Sequence, residues 1–458
     1  MEIVIVGTGY VGLVTGVCFA DAGHVVTCID IDESKIKMIN AGKSPIYEQD
    51  LEELMIKNVN LGRLKATTDY KNTYRGAEVI FIGVGTPELP DGSVDLSYIE
   101  TVLKQIAENV TRDCLVVVKS TVPIGTNDKM EELIKNYQVN DIHIEIASNP
   151  EFLSQGTAVR DTLKASRIII GTESRQSEEL LRAIYEPFGL PIVSVNRRNA
   201  EMIKYASNCF LALKISYMND IANLCELVGA DITAVAKGMS YDKRIGDNFL
   251  NAGIGFGGSC LPKDTKALVS IAEKNGYELM TVNAAIRINK YQKLKLLYKA
   301  AKRFENFQNM KVAVLGLSYK QDTDDLREAP SLENIDLLVK QGAIISAYDP
   351  VAEGNFKKIF PNEVVYTNTP EEALADAEVC FIFTEWHQIR EVAPETYKKL
   401  MRYPVIYDGR NIYDPKSMRE AGVEYHSIGR YMSEAGAEYH SIGRYMSGAE
   451  VECYSKSM

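Results

Sequence analysis

The sequence predicts an α/β protein with two parallel sheets and a long helix between them. Three observations carry this. Short apolar runs alternate with helical patterns from residue 3 to about 171, a stretch free of proline follows from Ala200 to Val228, and the alternation returns after Asn309. Short apolar strands separated by helices point to a parallel sheet covered on both faces.

The elements follow in order. Strands are expected at Ile3–Val6, Val25–Asp30, Val79–Gly83, Leu115–Lys119, Ile144–Ala147 and Ile168–Gly171, with a helix at Val11–Ala22. From Ala200 the apolar positions Met202, Ala206, Cys209, Leu213, Ile221, Leu224 and Val228 recur at helical spacing, and Gly229 ends the run. A helix this long between two domains is expected to be a spine and an oligomer contact. A second helical stretch, about Lys263 to Phe304, is broken by Gly276. Further strands are expected at Lys311–Leu315, Ile344–Asp349, Val379–Thr384 and Val405–Asp408, with a helix at Ser331–Lys340 and a last strand near Val423–Ile428. This divides the chain into 1–198, 199–305, 306–430 and a tail, 431–458.

The tail holds the one internal repeat. Glu420–Ser433 is copied as Glu434–Ser447, with Val423 against Ala437 the single difference. Two copies of a short unit cannot build a solenoid. The second copy has no visible core to join, so a mobile end is expected.

Composition narrows the function. With 51 Lys+Arg against 62 Asp+Glu the net charge is -11, which disfavours nucleic acid and anionic membrane as partners. No apolar run approaches the ~18–20 residues of a membrane span. The apolar start lacks a basic flank and breaks at Gly7, so a signal peptide is not expected and a cytoplasmic location is. The 8 cysteines contain no C-x-x-C, and His24, His143, His387, His426 and His440 form no ligand pattern, so neither a disulfide framework nor a metal site is expected. Cys18, Cys28, Cys114 and Cys380 sit in apolar patterns. Cys260 does not.

Gly7-Thr8-Gly9-Tyr10-Val11-Gly12 follows a strand and opens a helix. The first glycine permits the tight turn, the second lets a pyrophosphate approach, and the third packs helix on strand. The helix N-terminus offers free N–H groups to phosphate. Asp30 ends the next strand, where a carboxylate can bind a ribose hydroxyl. Asp32 and Glu33 would repel a 2′-phosphate, which favours NAD over NADP and leaves FAD as the rival. The first part is therefore expected to be a Rossmann domain. The second sheet's first turn, Gly316-Leu317-Ser318, lacks the fingerprint. The turns at Gly83–Pro87, which holds Thr86, and Ser120–Pro123, which holds Thr121, lie at the strand ends where ligands gather, or are simple turns.

Gly255–Asp264 is the most informative stretch. Its glycines let backbone approach a ligand, and Cys260 stands at a helix mouth before Lys263 and Asp264. A helix N-terminus and a nearby cation both lower a thiol pKa, which suits thiolate chemistry; a structural thiol is the alternative. Lys204 and Asn208 lie four apart on one helix face and could stabilise an oxyanion, or simply face solvent. Glu151 could be a general base or a helix-start carboxylate.

Taken together these motifs resemble the UDP-glucose 6-dehydrogenases within the UDP-glucose/GDP-mannose dehydrogenase family, over about Met1–Arg430. The match rests on GTGYVG at 7–12, STVP at 120–123, NPEFL at 149–153, Lys204 with Asn208, RIG at 244–246, GFGGSCLPKD at 255–264, and Tyr319-Lys320 with Asp322-Thr323 and Arg327. The resemblance implies two successive NAD-dependent oxidations, alcohol to aldehyde to acid, on a nucleotide sugar. It makes Cys260 the nucleophile and Lys204 and Asn208 the oxyanion donors. Asp264 and Thr121 would position water, and Glu151 would assist thioester hydrolysis. Lys204 or a water on Asp264 are both open as the first base.

Cofactor contacts are implied for Gly7, Gly9, Tyr10, Val11, Gly12, Asp30 and Lys35. Thr86, Ser120, Thr121, Gln155, Lys263 and Arg327 complete that set. Substrate contacts are implied for Glu151, Phe152, Leu153, Lys204, Asn208, Phe249 and Asn251, and for Phe256, Gly257, Lys320 and Arg410. Arg244 would reach a neighbouring subunit's substrate, implying a homodimer or higher homo-oligomer.

Two positions depart from the family. Gln155 stands where glutamate is frequent, and Leu261 where many UDP-glucose enzymes have phenylalanine. UDP-glucose is the expected substrate and GDP-mannose the alternative. A single-step hydroxyacid dehydrogenase and a non-catalytic nucleotide-sugar sensor are the more distant readings.

Overall fold

The computed structural model describes residues 1–430. The tail, 431–458, with the second copy of the repeat and the mobile end expected of it, lies outside the described residues. The first sheet contains β1 (Glu2–Val6), β2 (Val25–Ile29), β3 (Leu64–Thr67), β4 (Val79–Ile82), β5 (Cys114–Val118), β6 (Ile144–Ser148), β7 (Ile168–Gly171) and β8 (Ile192–Val195). Their order is β3-β2-β1-β4-β5-β6-β7-β8. Pairing is parallel except between β6 and β7, which meet antiparallel at Ser148 and Gly171. The second sheet contains β9 (Lys311–Leu315), β10 (Ile344–Tyr348), β11 (Val364–Tyr366), β12 (Val379–Ile382), β13 (Val405–Asp408) and β14 (Glu424–His426), in the order β11-β10-β9-β12-β13-β14, all parallel. Six strands of the first sheet and all six of the second thus share one doubly wound order.

Both sheets bury both faces. In β1, Ile3 and Ile5 pack with Leu13, Val14 and Val17 of α1 (Tyr10–Asp21), while Val4 and Val6 pack on the opposite side with Ile99, Val102 and Leu103. Helix α1 is buried continuously from Gly12 to Ala20. Each large apolar side chain so buried stabilises the fold by about 1.5–3 kcal/mol, which fixes the turn at the start of α1 rigidly.

The longest helices between the sheets are α2 (Arg197–Val228), α3 (Leu261–Lys274) and α4 (Met280–Lys293). Helix α2 begins before Ala200 because Asn196 caps it, its side chain accepting from Asn199 N; Gly229, left-handed at φ 77, ends it. The stretch expected as helix from Lys263 breaks at Gly276 and again after Lys293, and begins at Leu261.

Three strands, β3, β8 and β11, were not expected from the sequence. On α2, Met202, Ala206, Leu224 and Val228, apolar positions that signalled a helix, face outward. The buried side carries Lys204, Tyr205, Asn208 and Cys209. Among the described residues, no helix is long and apolar enough to cross a membrane, and no cluster of His, Cys, Asp and Glu is arranged to hold a metal ion.

Candidate active site

The strand order of the first sheet reverses between β1 and β4, and the turn after β1 lies there. Gly9 is the N-cap of α1, and no side chain caps the helix. Its first N–H groups are therefore free for a ligand. A Cβ on Gly12 would sit 2.0 Å from Gly7 O, so that glycine is required for packing. A Cβ on Gly9 would meet nothing within 4 Å. The open space at Gly9, above uncapped N–H groups, fits a dinucleotide pyrophosphate. Asp30, at the end of β2, accepts from Thr8 N at 2.8 Å and from Thr8 Oγ1. Burial alone would raise its carboxyl, but these bonds and the Asp32 N–H hold it below the ordinary value. It stays anionic, as the preference for NAD over NADP requires.

A cleft of about 2090 Å³ runs from this turn to the second sheet. That is roughly two or more times the ~300–1,000 Å³ of a single small-ligand pocket, room for two nucleotides. Its wall includes Gly9, Tyr10, Val11, Thr86, Ser120, Thr121, Gln155, Lys263 and Arg327 of the expected cofactor set. It also includes Glu151, Phe152, Leu153, Asn208, Phe249, Asn251, Phe256, Gly257, Lys320 and Arg410 of the substrate set, with Cys260 and Asp264. Gly7, Gly12, Asp30, Lys35, Lys204 and Arg244 lie off the wall. Gly7 and Gly12 form the turn behind Gly9, and Lys204 sits behind Glu151. Lys35 lies in the helix Glu33–Asn40, and Arg244 is exposed and paired with Asp242 at 2.6 Å.

Cys260 is the N-cap of α3, and its carbonyl accepts from Asp264 N at 2.8 Å. The loop before it is tied on three sides. Asn219 of α2 accepts from Gly253 N at 2.8 Å. Asn289 of α4 accepts from Phe256 N at 2.8 Å, and Arg327 O accepts from Gly258 N at 2.7 Å. A Cβ on Gly258 would strike the Tyr319 ring at 2.7 Å, so the second sheet's first turn presses directly on this loop.

Two buried pairs stand behind the thiol. Lys204 Nζ donates to Glu151 Oε1 at 2.8 Å and to Glu151 O at 2.7 Å. Asn208 donates to Asp264 Oδ2 at 2.6 Å. Asp264 Oδ1 is buried with no hydrogen-bond donor, and Lys263 Nζ lies 3.4 Å away while also donating to Thr86. An unsatisfied buried acceptor of this kind is where a water or a substrate hydroxyl belongs.

The electrostatics correct one expectation. The Cys260 thiol is not lowered overall: burial raises it above the ordinary value. Glu151 and Asp264 push the same way, outweighing Lys204 and Ser259. Burial opposes the charge on Lys204, yet Glu151, Cys260 and Asp264 together keep it an ammonium more firmly than usual. Burial likewise opposes the Glu151 charge, and Lys204, the Leu153 N–H and Lys119 bring it below its ordinary value. The resting site is a protonated thiol beside a fixed ion pair.

The second sheet supplies side chains. Lys320 Nζ donates to Ser154 Oγ at 2.7 Å, and Arg327 forks onto Asp325 at 2.9 and 2.6 Å. Arg410 donates to Phe383 O and Tyr319 O at 2.7 and 2.6 Å. Gln155 accepts from Tyr319 OH at 3.1 Å, across the cleft. Three site residues escaped the sequence reading: Lys119, buried beside Asn149; Arg167, with its guanidinium 3.9 Å from the Phe152 ring; and Glu328, which holds Lys266 and Lys293. Lys119 directly precedes Ser120, and a charged residue closing an apolar strand was the available signal.

Three family models match the chain in order. They are the NAD binding domain of the UDP-glucose/GDP-mannose dehydrogenase family over 1–189, its central domain over 198–291, and its UDP binding domain over 313–415. The UDP-glucose 6-dehydrogenase YwqF of Bacillus subtilis (strain 168) is 49% identical over 94% of this chain and 98% of its own length. A UDP-glucose dehydrogenase structure from the hyperthermophilic archaeon Pyrobaculum islandicum aligns with TM-score 0.88 at 35% identity, covering 94% of this chain and 98% of that one. A UDP-D-ManNAc dehydrogenase structure from Pyrococcus horikoshii aligns with TM-score 0.83 at 31% identity, covering 94% and 99%. With its cofactor turn, its cysteine loop and all three matched domains in register, the chain belongs to the UDP-glucose/GDP-mannose dehydrogenase family, as an NAD-dependent nucleotide-sugar dehydrogenase.

Proposed function

We propose that the chain oxidises UDP-glucose to UDP-glucuronate in two hydride transfers at one site, with Cys260 holding the sugar between them. The observation that carries this is that Cys260, Glu151, Asn208 and Asp264 line one cleft, with Asn208 bonded to Asp264 and Lys204 bonded to Glu151 directly behind it. The similarity to UDP-glucose 6-dehydrogenases supports the choice of sugar.

NAD supplies the hydride acceptor when bound, held by Gly9, Tyr10 and Val11 on one side and by Thr86, Ser120, Thr121, Gln155, Lys263 and Arg327 on the other. Lys204, already an ammonium, is a poor base. The proton of the sugar alcohol leaves instead to a water held at Asp264 Oδ1 and Thr121. Loss of hydride from the alkoxide carbon gives the aldehyde. The Cys260 thiol then adds to the carbonyl, forming a C–S bond and passing its proton to water, while Lys204 and Asn208 donate to the oxyanion. A thiohemiacetal oxyanion can lose the second hydride, which an aldehyde carbonyl cannot, and the product is a thioester. Glu151 directs water onto it, the C–S bond breaks, and carboxylate and thiol are released. In sum, one alcohol, two NAD and one water give one carboxylate, two NADH and three protons. Phe152, Leu153, Phe249, Asn251, Phe256, Gly257, Lys320 and Arg410 hold the nucleotide sugar.

The same reading divides the chain into an NAD-binding part at 1–198, a helical part at 199–305 and a UDP-sugar-binding part at 306–430. It also makes the enzyme a homodimer. Phe210, Tyr217 and Leu224 follow one another at seven-residue spacing along the outer side of α2 and are exposed, as is Arg244. An apolar seam of that period suits packing against a second copy.

The test is incubation with excess NAD and, separately, UDP-glucose, GDP-mannose and UDP-N-acetylmannosamine. Two NADH per UDP-glucose is expected. One NADH, or turnover of another sugar in preference, would overturn the reading.

A further inference from the structure

One buried ammonium of the site has no part in the reaction just described. Lys119 follows β5 and is 7% exposed. Its Nζ donates to Asn149 Oδ1 at 3.1 Å and lies 3.3 Å from the Tyr185 hydroxyl and 3.5 Å from Asn149 O. Tyr185 OH donates to the same Asn149 Oδ1, and Asn149 itself donates to Val118 O at 2.9 Å and Ile169 O at 2.8 Å. The lysine is thus fastened to the turn Asn149-Pro150-Glu151, two residues before the carboxylate that pairs with Lys204. None of its hydrogen-bond partners is a carboxylate, and a buried cation without one is expensive.

The charges of the site explain why it is there. Glu151 and Asp264 are buried carboxylates and Lys204 a buried ammonium. The reaction adds a third anion, the thiolate or the oxyanion that follows it. Lys263, 3.4 Å from Asp264, offsets that carboxylate; with no further cation, Glu151 and the reacting oxyanion would share Lys204.

We infer that Lys119 is a positioning residue for acid formation: it fixes the Glu151 turn from below and balances the Glu151 charge, leaving Lys204 free to serve the reacting oxyanion. Glu151 supports the Lys119 charge, while Lys204 opposes it; the Cys18 thiol of α1 and the Tyr185 phenol complete its surroundings. Burial nonetheless brings the ammonium down to about 8, so it is charged throughout the acid range where Glu151 titrates. This inference rests on the two-step function proposed above.

The test compares wild type with Lys119→Met, which keeps the apolar stem and removes the charge. Acid formation is followed against pH, thermal unfolding is measured on the same samples, and NADH per sugar is counted for wild type. A cation beside a carboxylate lowers its pKa, so its removal should move the acidic limb of the profile up by about one pH unit. Because the buried charge opposes folding, Tm should hold or rise. An unmoved limb would overturn the inference while leaving the two-step function standing. A marked fall in Tm, or failure to fold, would also overturn it, since Lys119 would then be a structural residue. Fewer than two NADH per sugar in wild type would overturn the function itself, and this inference with it.

Discussion

The two sheets share a strand order and differ at one turn. After β1, Gly9 opens on empty space, α1 begins at once, and its first N–H groups have no cap. After β9, Gly316-Leu317-Ser318 stands in the same place, but no helix follows until α5 (Pro330–Lys340). There the loop N–H groups are taken. Asp349, at the end of β10, accepts from Leu317 N at 2.7 Å and Ser318 N at 3.1 Å, and from the Trp386 indole at 3.0 Å. Asp30 accepts from Thr8 N in the same way in the first half, so the difference is the missing helix start: without free helix N–H groups beside the turn, the second sheet presents the cations Lys320 and Arg410 to the cleft instead. The same six-strand order therefore ends in free helix N–H groups in one half and in charged side chains in the other. What a strand order supplies is a place for a ligand; the turn decides its chemistry.

The largest effect should fall between the halves. Cys260→Ser is expected to reduce acid formation at least ~1000-fold, about 4 kcal/mol of transition-state stabilisation. NAD and UDP binding, measured by calorimetry, should stay within a few fold, since the Cys260 sulfur itself holds neither; a parallel loss of both would mean that the thiol organises the loop rather than serving the chemistry. Gly316→Ala comes next. Its φ is +88 and the new methyl would meet Thr384 Cβ at 2.4 Å, so denaturant unfolding should show a loss of roughly 2–4 kcal/mol.

Gly9→Val is the counterpart in the first half. A Cβ there meets no neighbour within 4 Å, so stability should change little, while NAD affinity should fall about 10- to 100-fold as the side chain occupies the cradle. Unchanged affinity would break the contrast between the turns. The smallest expected effect concerns pH. Burial penalises the thiolate, so the free enzyme's Cys260 should titrate above the ordinary 9.0. Its alkylation rate by iodoacetamide should keep rising through pH 9, and a plateau near neutrality would contradict this.

Much of the fold is legible because several interior strands are buried on both faces and read as unbroken apolar runs, as in Val79–Ile82 or Cys114–Val118. The strands that escaped, Leu64–Thr67, Ile192–Val195 and Val364–Tyr366, are all at sheet edges. Edge strands are short and partly solvated, so Lys65, Ser194 and exposed Val365 blur the pattern. The glycine turn and the Cys260 loop are visible because glycine and cysteine have few other reasons to stand in such order. Lys119 and Arg167 are not, because their meaning lies in what other strands bring beside them. Nor could spacing foretell that burial and Glu151 would raise the Cys260 thiol, since Glu151 reaches it from a distant part of the chain.

The central claim is that Cys260 carries the half-oxidised sugar. The direct measurement is mass spectrometry of the peptide containing Cys260, from enzyme quenched in acid during turnover of UDP-glucose with excess NAD. The account predicts a UDP-glucuronyl thioester on that cysteine, absent when NAD is omitted. An unmodified Cys260 during steady turnover, with free aldehyde accumulating in solution, would contradict it.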